Sequence, residues 1–179
     1  MQHTDKRLEN NDMILDLVHQ GTFNLKKWKT TNRVEEDNEI LTGYMTLTGL
    51  VAYDFITTLL GLDIADTVRR FFWSKDEQNN FPAMGPIPID IEAKKHIVEI
   101  RGSGGINCRD EDAVIRGFKL RPAFGAMWDA QFELLIHPTQ NAIVGKLAAS
   151  EMHELDINIV GLRQADAVAN QADNGQLEE

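Results

Sequence analysis

The residues best suited to chemistry in this sequence form one short acidic run. Asp110, Glu111 and Asp112 are consecutive, and the run begins two residues after Cys108. Neighbouring carboxylates can hold Mg²⁺ beside a phosphate, although such a run is more often a solvated loop. Together with His96, these carboxylates form the one group from which folding could assemble an enzyme site.

The other motifs that carry catalysis or bind cofactors are absent from the sequence. The segment Gly102-Ser-Gly-Gly105 lacks the Gly-Lys-Ser/Thr of a phosphate-binding loop, and no Gly-x-Ser-x-Gly elbow occurs. The single cysteine forms neither an internal disulfide nor a cysteine-based zinc site, and no two histidines have helical ligand spacing. The sequence therefore predicts no catalytic residue, no metal and no cofactor.

Charge is distributed very unevenly along the chain. Residues 26–33 and 94–121 hold eleven of the eighteen basic residues and only four acidic ones, a net charge of +7. Because the whole chain has a net charge of −10, the remaining residues carry −17. An acidic chain is repelled by nucleic acid on average, but this bipolar pattern predicts a local basic face.

Aromatic residues are interleaved with these cations, as in proteins that bind single-stranded nucleic acid. There, Lys and Arg contact phosphates while rings stack on bases. The alternative is that the aromatics belong to the core and the cations are solvated edge charges. The predicted nucleic-acid-binding residues are Lys26, Lys27, Trp28, Lys29, Arg101, Arg116, Phe118, Lys119 and Arg121.

The elements that must position these residues follow from hydrophobic periodicity. In the N-terminal half it predicts strands over residues 13–18 and 23–29, a loop over 30–39, and a pair of helices within 40–73. In the C-terminal half it predicts a helix over 139–154, with strands over 96–101, 113–120, 130–136 and 155–162.

This order of elements predicts a single α+β domain over residues 1–179. We expect an antiparallel or mixed sheet, a ferredoxin-like or split βαβ C-terminal half, and an N-terminal helix pair. The expected subregions are a strand and helical part over 12–80, a sheet-rich part over 89–163 and a disordered acidic tail over 164–179. The polar N-terminus predicts a cytoplasmic location, and Asp54 disfavours a membrane span over 41–62.

One stretch of the C-terminal half carries a family resemblance. Residues 115–124 read Ile-Arg-Gly-Phe-Lys-Leu-Arg-Pro-Ala-Phe, followed by Trp128. Residues 115–155 resemble part of an uncharacterised family of phage-encoded proteins with an Arg-Pro-x-Phe-x-x-Trp core, although three residues separate Phe124 from Trp128 here. The resemblance implies a phage or prophage origin and carries no activity.

Two functions are compatible with these observations. The first is a non-enzymatic accessory protein that binds single-stranded nucleic acid through the basic, aromatic-flanked strands. The alternative is an acidic inhibitor or adaptor of phage type that binds a host protein, such as a nucleic-acid enzyme whose substrate it imitates. A homo-oligomer is compatible with either function, because strand edges and an apolar helix pair both favour self-association.

Overall fold

The computed structural model describes residues 15–35, 38–138 and 140–163. The predicted acidic tail over 164–179 and most of the predicted strand over 13–18 lie outside these residues. Residues 15–18, the described end of that predicted strand, form no regular element.

Seven strands and three helices make up the described chain. The strands are β1 (His19–Glu35), β2 (Asn38–Val51), β3 (Ile87–Ile89), β4 (Ala93–Gly102), β5 (Ile106–Pro122), β6 (Trp128–Ile136) and β7 (Glu154–Leu162). The helices are α1 (Tyr53–Leu60), α2 (Leu62–Phe72) and α3 (Asn141–Ala148). The α+β class and the N-terminal helix pair are therefore confirmed.

All pairings in the sheet are antiparallel, and six of the strands close into a ring. The order is β5-β4-β7-β1-β2-β6, β6 pairs back onto β5, and β3 adds to the edge of β5. The ferredoxin-like or split βαβ arrangement is not confirmed, because β6 and β7, the strands on either side of α3, are not neighbours. The sheet also combines both predicted subregions, since β1 pairs with β7 and β2 pairs with β6.

The core lies inside this closed sheet. Strand β6 alternates buried and half-buried residues throughout, as expected when one face points inward and the other outward. Helix α1 closes one opening of the ring, because Phe55 packs against Phe118 and Phe132 at ring-centroid distances of 6.3 Å. The closed sheet leaves β1, β2, β6 and β5 with an outer face available to solvent.

The sequence prediction was wrong between residues 30 and 52. Residues 30–35 belong to β1 instead of the expected loop, and β2 occupies residues 38–39 and the expected start of a helix near residue 40. Period-two burial explains this outcome: Met45 and Leu47 point inward, while Tyr44, Thr46 and Thr48 alternate with them. Threonine also favours strands, because its branched side chain packs well on a pleated surface.

The apolar stretch over residues 41–62 is consequently divided between β2 and α1. Across residues 15–35, 38–138 and 140–163, none of the helices has the length and hydrophobicity that a membrane crossing requires. The predicted helix over 139–154 is also shorter than expected, since α3 ends at Ala148.

Candidate nucleic-acid interface

Strand register brings basic residues from two distant segments of the chain onto one outer face. Lys27 lies opposite Thr46, Thr46 opposite Glu133, and Glu133 opposite Arg116, so one row crosses four strands. The inward row beside it contains Met45, Leu134 and Ile115, all buried. We call the outer surface of β1, β2, β6 and β5 the platform face.

Two further rows complete the platform face. One runs from Asn24 through Thr48 and Gln131 to Lys119. The other runs from Lys29 through Tyr44 and Leu135 to Val114. The basic side chains therefore lie at the two margins, β1 and β5, with a polar strip between them.

The basic side chains differ in whether they have ion-pair partners. Arg116 lies 3.4 Å from Glu133, and Arg121 lies 2.6 Å from Asp129. The described residues provide no ion-pair partner for the exposed side chains of Lys26, Lys27, Lys29 and Lys119. Among the residues described, the platform face thus has four lysines whose positive charge no ion pair compensates.

A bulge in each marginal strand decides which side chains point outward. On β1 the register shifts between Leu25 and Lys27, with Lys26 as the extra residue, so Leu25 points inward while Lys27 points outward. On β5 the register shifts between Arg116 and Lys119. Gly117 has φ of +64° within that bulge, a conformation that favours glycine.

The predicted stacking role of Phe118 is not supported by its position. The β5 bulge turns Phe118 inward, where it is 1% exposed and packs against Phe55 and Phe132. Simple alternation would have put Phe118 on the same side as Arg116, and the extra residue of the bulge reverses this. The Phe118 ring is therefore not presented to a ligand.

Trp28 also points away from the lysines that flank it. Its ring lies on the inner side of the β1–β2 hairpin, directly over Gly43, where a side-chain carbon would collide with it. Its backbone N–H donates to Glu151 Oε1 at 2.6 Å. Tyr44 is the aromatic residue in the rows of the platform face, and the sequence analysis missed it. Its alternation with the buried Met45 could have indicated that Tyr44 points outward.

Arg101 lies on a different face from the other predicted contacts. Its neighbours across the strands are Asn107 on β5 and Asp156 on β7. We call this outer surface, formed by β4, β7 and the adjoining parts of β5 and β1, the paired face. Arg101 lies 3.6 Å from Glu99 there, so it does not converge with the platform cations.

Glu99 is the centre of the paired face. Its carboxylate accepts hydrogen bonds from Asn158 at 3.3 Å and from Arg109 at 2.7 Å. These two hydrogen bonds, together with the positive charges of Arg109 and Arg101, lower the pKa of Glu99. A shallow polar groove runs beside Glu99, lined by Thr22, Arg101 and Asp156 among other residues.

The three carboxylates of the acidic run at 110–112 do not converge on one site, because each has a different partner. Asp110 is buried and accepts hydrogen bonds from the backbone and ring of His137, whereas Glu111 pairs with Arg109 and Asp112 pairs with Arg163. Burial opposes ionisation of Asp110, but these donors outweigh it and hold its pKa below the ordinary value. Within the described part of the chain, no three His, Cys, Asp or Glu residues form a metal-binding group.

The two other residues that the sequence offers for chemistry are His96 and Cys108, and neither is in a reactive environment. His96 is fully buried; its Nε2 accepts the Leu17 N–H at 2.9 Å, so the protonated Nδ1 donates to the Lys94 carbonyl at 2.8 Å. Burial lowers the pKa of His96. Burial, followed by the charge of Asp110, raises the pKa of Cys108, which disfavours a thiolate.

No protein family, curated protein or solved structure matches the chain. The resemblance of residues 115–155 to a phage-encoded family therefore stays a prediction.

Proposed function

We propose that this protein binds single-stranded nucleic acid on its platform face, as an accessory protein that performs no chemistry on its ligand. The observation that carries the proposal is the row from Lys27 through Thr46 and Glu133 to Arg116, which brings two basic margins onto one surface. Proteins that read unpaired strands commonly use an exposed sheet of this kind.

Local charge supports an anionic ligand. Among the side chains that the structure describes, the face carries six basic residues and two acidic ones: Lys26, Lys27, Lys29, Arg116, Lys119 and Arg121, against Asp129 and Glu133. The resulting +4 contrasts with −10 for the whole chain, so attraction to a polyanion is confined to this surface. The two margins are three strand spacings apart, about 14 Å, a width that suits a single extended strand.

The strip between the margins supports contact with bases. Tyr44 offers a half-buried ring beside Lys29, and Thr46, Thr48 and Gln131 offer hydrogen-bonding groups. A ring of this kind binds bases with little sequence preference, because every base has a π-face. Tyr44 therefore replaces Trp28 and Phe118 as the proposed stacking residue.

The direct test is fluorescence anisotropy with labelled single-stranded DNA, RNA and duplex at rising salt. If the four unpaired lysines contact phosphates, log K should fall against log salt with a slope of about −3 on single strands. No binding at low salt would contradict the proposal. That result would favour the alternative, in which the acidic remainder of the chain binds a basic protein.

A triple substitution locates binding on the face. Arg116→Glu, Lys119→Glu and Arg121→Glu made together should abolish measurable binding, because they reverse the whole β5 margin. A circular-dichroism melt would establish that the variant is folded. If a folded triple variant retains wild-type affinity, the platform face is not the binding surface.

A further inference from the structure

Helix α2 packs against α1 and presents an exposed face that carries large apolar side chains. Its buried side contains Ala65 and Phe72. The opposite, exposed side is centred on Thr67. A helical period of 3.6 residues places one pair of residues on each side of Thr67, and we call these two strips the flanks of α2. Ile64 and Phe71 form one flank, and Asp63 and Arg70 form the other.

The first flank is apolar and exposed. Ile64 is 56% exposed and Phe71 is 58% exposed. Phe71 stacks on Phe81 with ring centroids 4.9 Å apart, and Phe81 is itself 40% exposed. Large neighbouring apolar side chains at a surface mark an interaction site more often than a freely solvated one.

The second flank carries unpaired charges of opposite sign at its two ends. The carboxylate of Asp63 and the guanidinium of Arg70 have no ion-pair partner among the described residues. The other two charged groups in the middle of α2 are engaged, because Asp66 accepts a hydrogen bond from Tyr53 and Arg69 lies 3.7 Å from Glu77. Asp63 and Arg70 are thus free to meet an external partner.

We propose that α2 pairs with α2 of a second copy of this chain, antiparallel and about a two-fold axis near Thr67. Such an axis reverses the helix direction and keeps each flank on its own side. Ile64 then faces Phe71 of the second copy, and Asp63 faces Arg70 of the second copy. Residues seven apart are separated by about 10.5 Å along a helix, so both pairings fit one register.

The sequence of α2 favours a second copy over an unrelated protein. Both flanks are self-complementary when reversed about residue 67: the apolar flank meets an apolar flank, and the acidic end meets the basic end. Thr67 at the centre is small enough for the two helices to approach within the usual 8–10 Å or so. An unrelated partner would not require this reversal symmetry.

The first test is the mass in solution, measured by sedimentation equilibrium over a wide concentration range. The wild type should reach twice the mass of its 20.2 kDa chain. Phe71→Glu should weaken dimerisation by about thirtyfold, the scale of losing an aromatic hot spot. Met152→Glu introduces the same charge at an exposed apolar side chain in the turn before β7, and it should leave the mass distribution unchanged.

A charge-reversal pair tests the register. Asp63→Arg alone and Arg70→Asp alone should each weaken the dimer, because like charges then face one another. The double variant should restore it, and thermal melts would establish that each variant is folded. A monomeric wild type at the highest concentration overturns the proposal, as do a dimer insensitive to Phe71→Glu or a folded double variant that stays monomeric.

Discussion

The two outer faces of the closed sheet differ in how completely their basic residues are paired with carboxylates. On the paired face, Arg101 and Arg109 lie against Glu99, which also accepts a hydrogen bond from Asn158. On the platform face, the exposed lysines of β1 and β5 have no such partners among the described residues. The basic residues of the paired face are therefore compensated by a carboxylate, whereas the platform face has two paired arginines, Arg116 and Arg121, beside lysines that have no such partner.

Whether a basic residue can bind an anionic ligand therefore depends on its position in the sheet and on the carboxylates beside it. Exposed ion pairs contribute little to stability, but each one neutralises a charge that would otherwise attract a ligand. A cation already paired with a carboxylate must lose that partner before it contacts a phosphate. The unpaired lysines of the platform face require no such exchange.

The largest expected effect distinguishes Phe118, which is buried beneath the platform face, from Tyr44, which lies on that face. Phe118→Ala should lower the free energy of unfolding by about 3–5 kcal/mol, because it removes a buried ring from the core. Tyr44→Ala should instead leave stability close to wild type and weaken binding of a single strand by about 1–3 kcal/mol. Urea unfolding and anisotropy measure the two quantities. A Phe118→Ala variant that is as stable as the wild type but does not bind would indicate that Phe118, and not Tyr44, is the stacking ring.

The next effect compares the two faces directly. Lys27→Glu with Lys119→Glu should weaken single-strand binding by about a hundredfold at low salt, since two phosphate contacts become repulsive. The matched control is Arg101→Glu with Arg109→Glu, which changes the net charge by the same −4 on the paired face. Anisotropy titrations of the two variants should differ strongly. Equal losses would indicate that net charge alone controls binding.

A smaller effect concerns the β5 bulge at Gly117, which decides which side chains of β5 point outward. Gly117→Ala should lower the free energy of unfolding by about 1–2 kcal/mol, because φ of +64° strains any residue with a side-chain carbon. That carbon would make only ordinary van der Waals contact, 3.6 Å from the Glu133 side chain, so the cost is conformational rather than steric. Gly145→Ala in α3 is a suitable control and should be neutral or stabilising. Chemical denaturation would measure both, and an unaffected Gly117→Ala variant would argue against the bulge.

The smallest expected effect is a pH dependence of stability. Burial lowers the pKa of both His96 and His19, so each binds fewer protons folded than unfolded. Stability should therefore be retained above the ordinary histidine pKa of 6.5 and decline as the pH falls below it. His96→Gln should reduce this slope in melts between about pH 7 and 5, leaving the part due to His19. An unchanged slope would indicate that His96 is not responsible.

Part of the fold was predictable from local pattern. The strand over 155–162 and the second helix of the N-terminal pair were anticipated, because their apolar residues repeat with clear periods of two and 3.6. The β1–β2 hairpin was missed because the polar residues 30–39 were interpreted as a loop. The strand conformation of residues 30–35 and 38–39 depends on pairing between the two arms, such as Thr31 with Thr42, rather than on a core-facing pattern.

The candidate site was predictable only in its composition. Sequence position separates Lys27 from Arg116 by nearly half the chain, and the β1-β2-β6-β5 order brings both onto one face. Arg101 was grouped with Arg116 because both lie in the same basic segment. In the structure, β4 pairs with β7, and this places Arg101 on the paired face beside Glu99.

By itself, the sequence determined the α+β class, the uneven charge and the identity of the basic residues, because these follow from composition and short-range periodicity. The tertiary structure alone decided which of those residues share a surface. Strand alternation has a period of two, so a single extra residue at Lys26, or in the bulge at Gly117, exchanges the inward and outward side chains beyond it. That exchange places Phe118 in the core and Lys119 on the platform face.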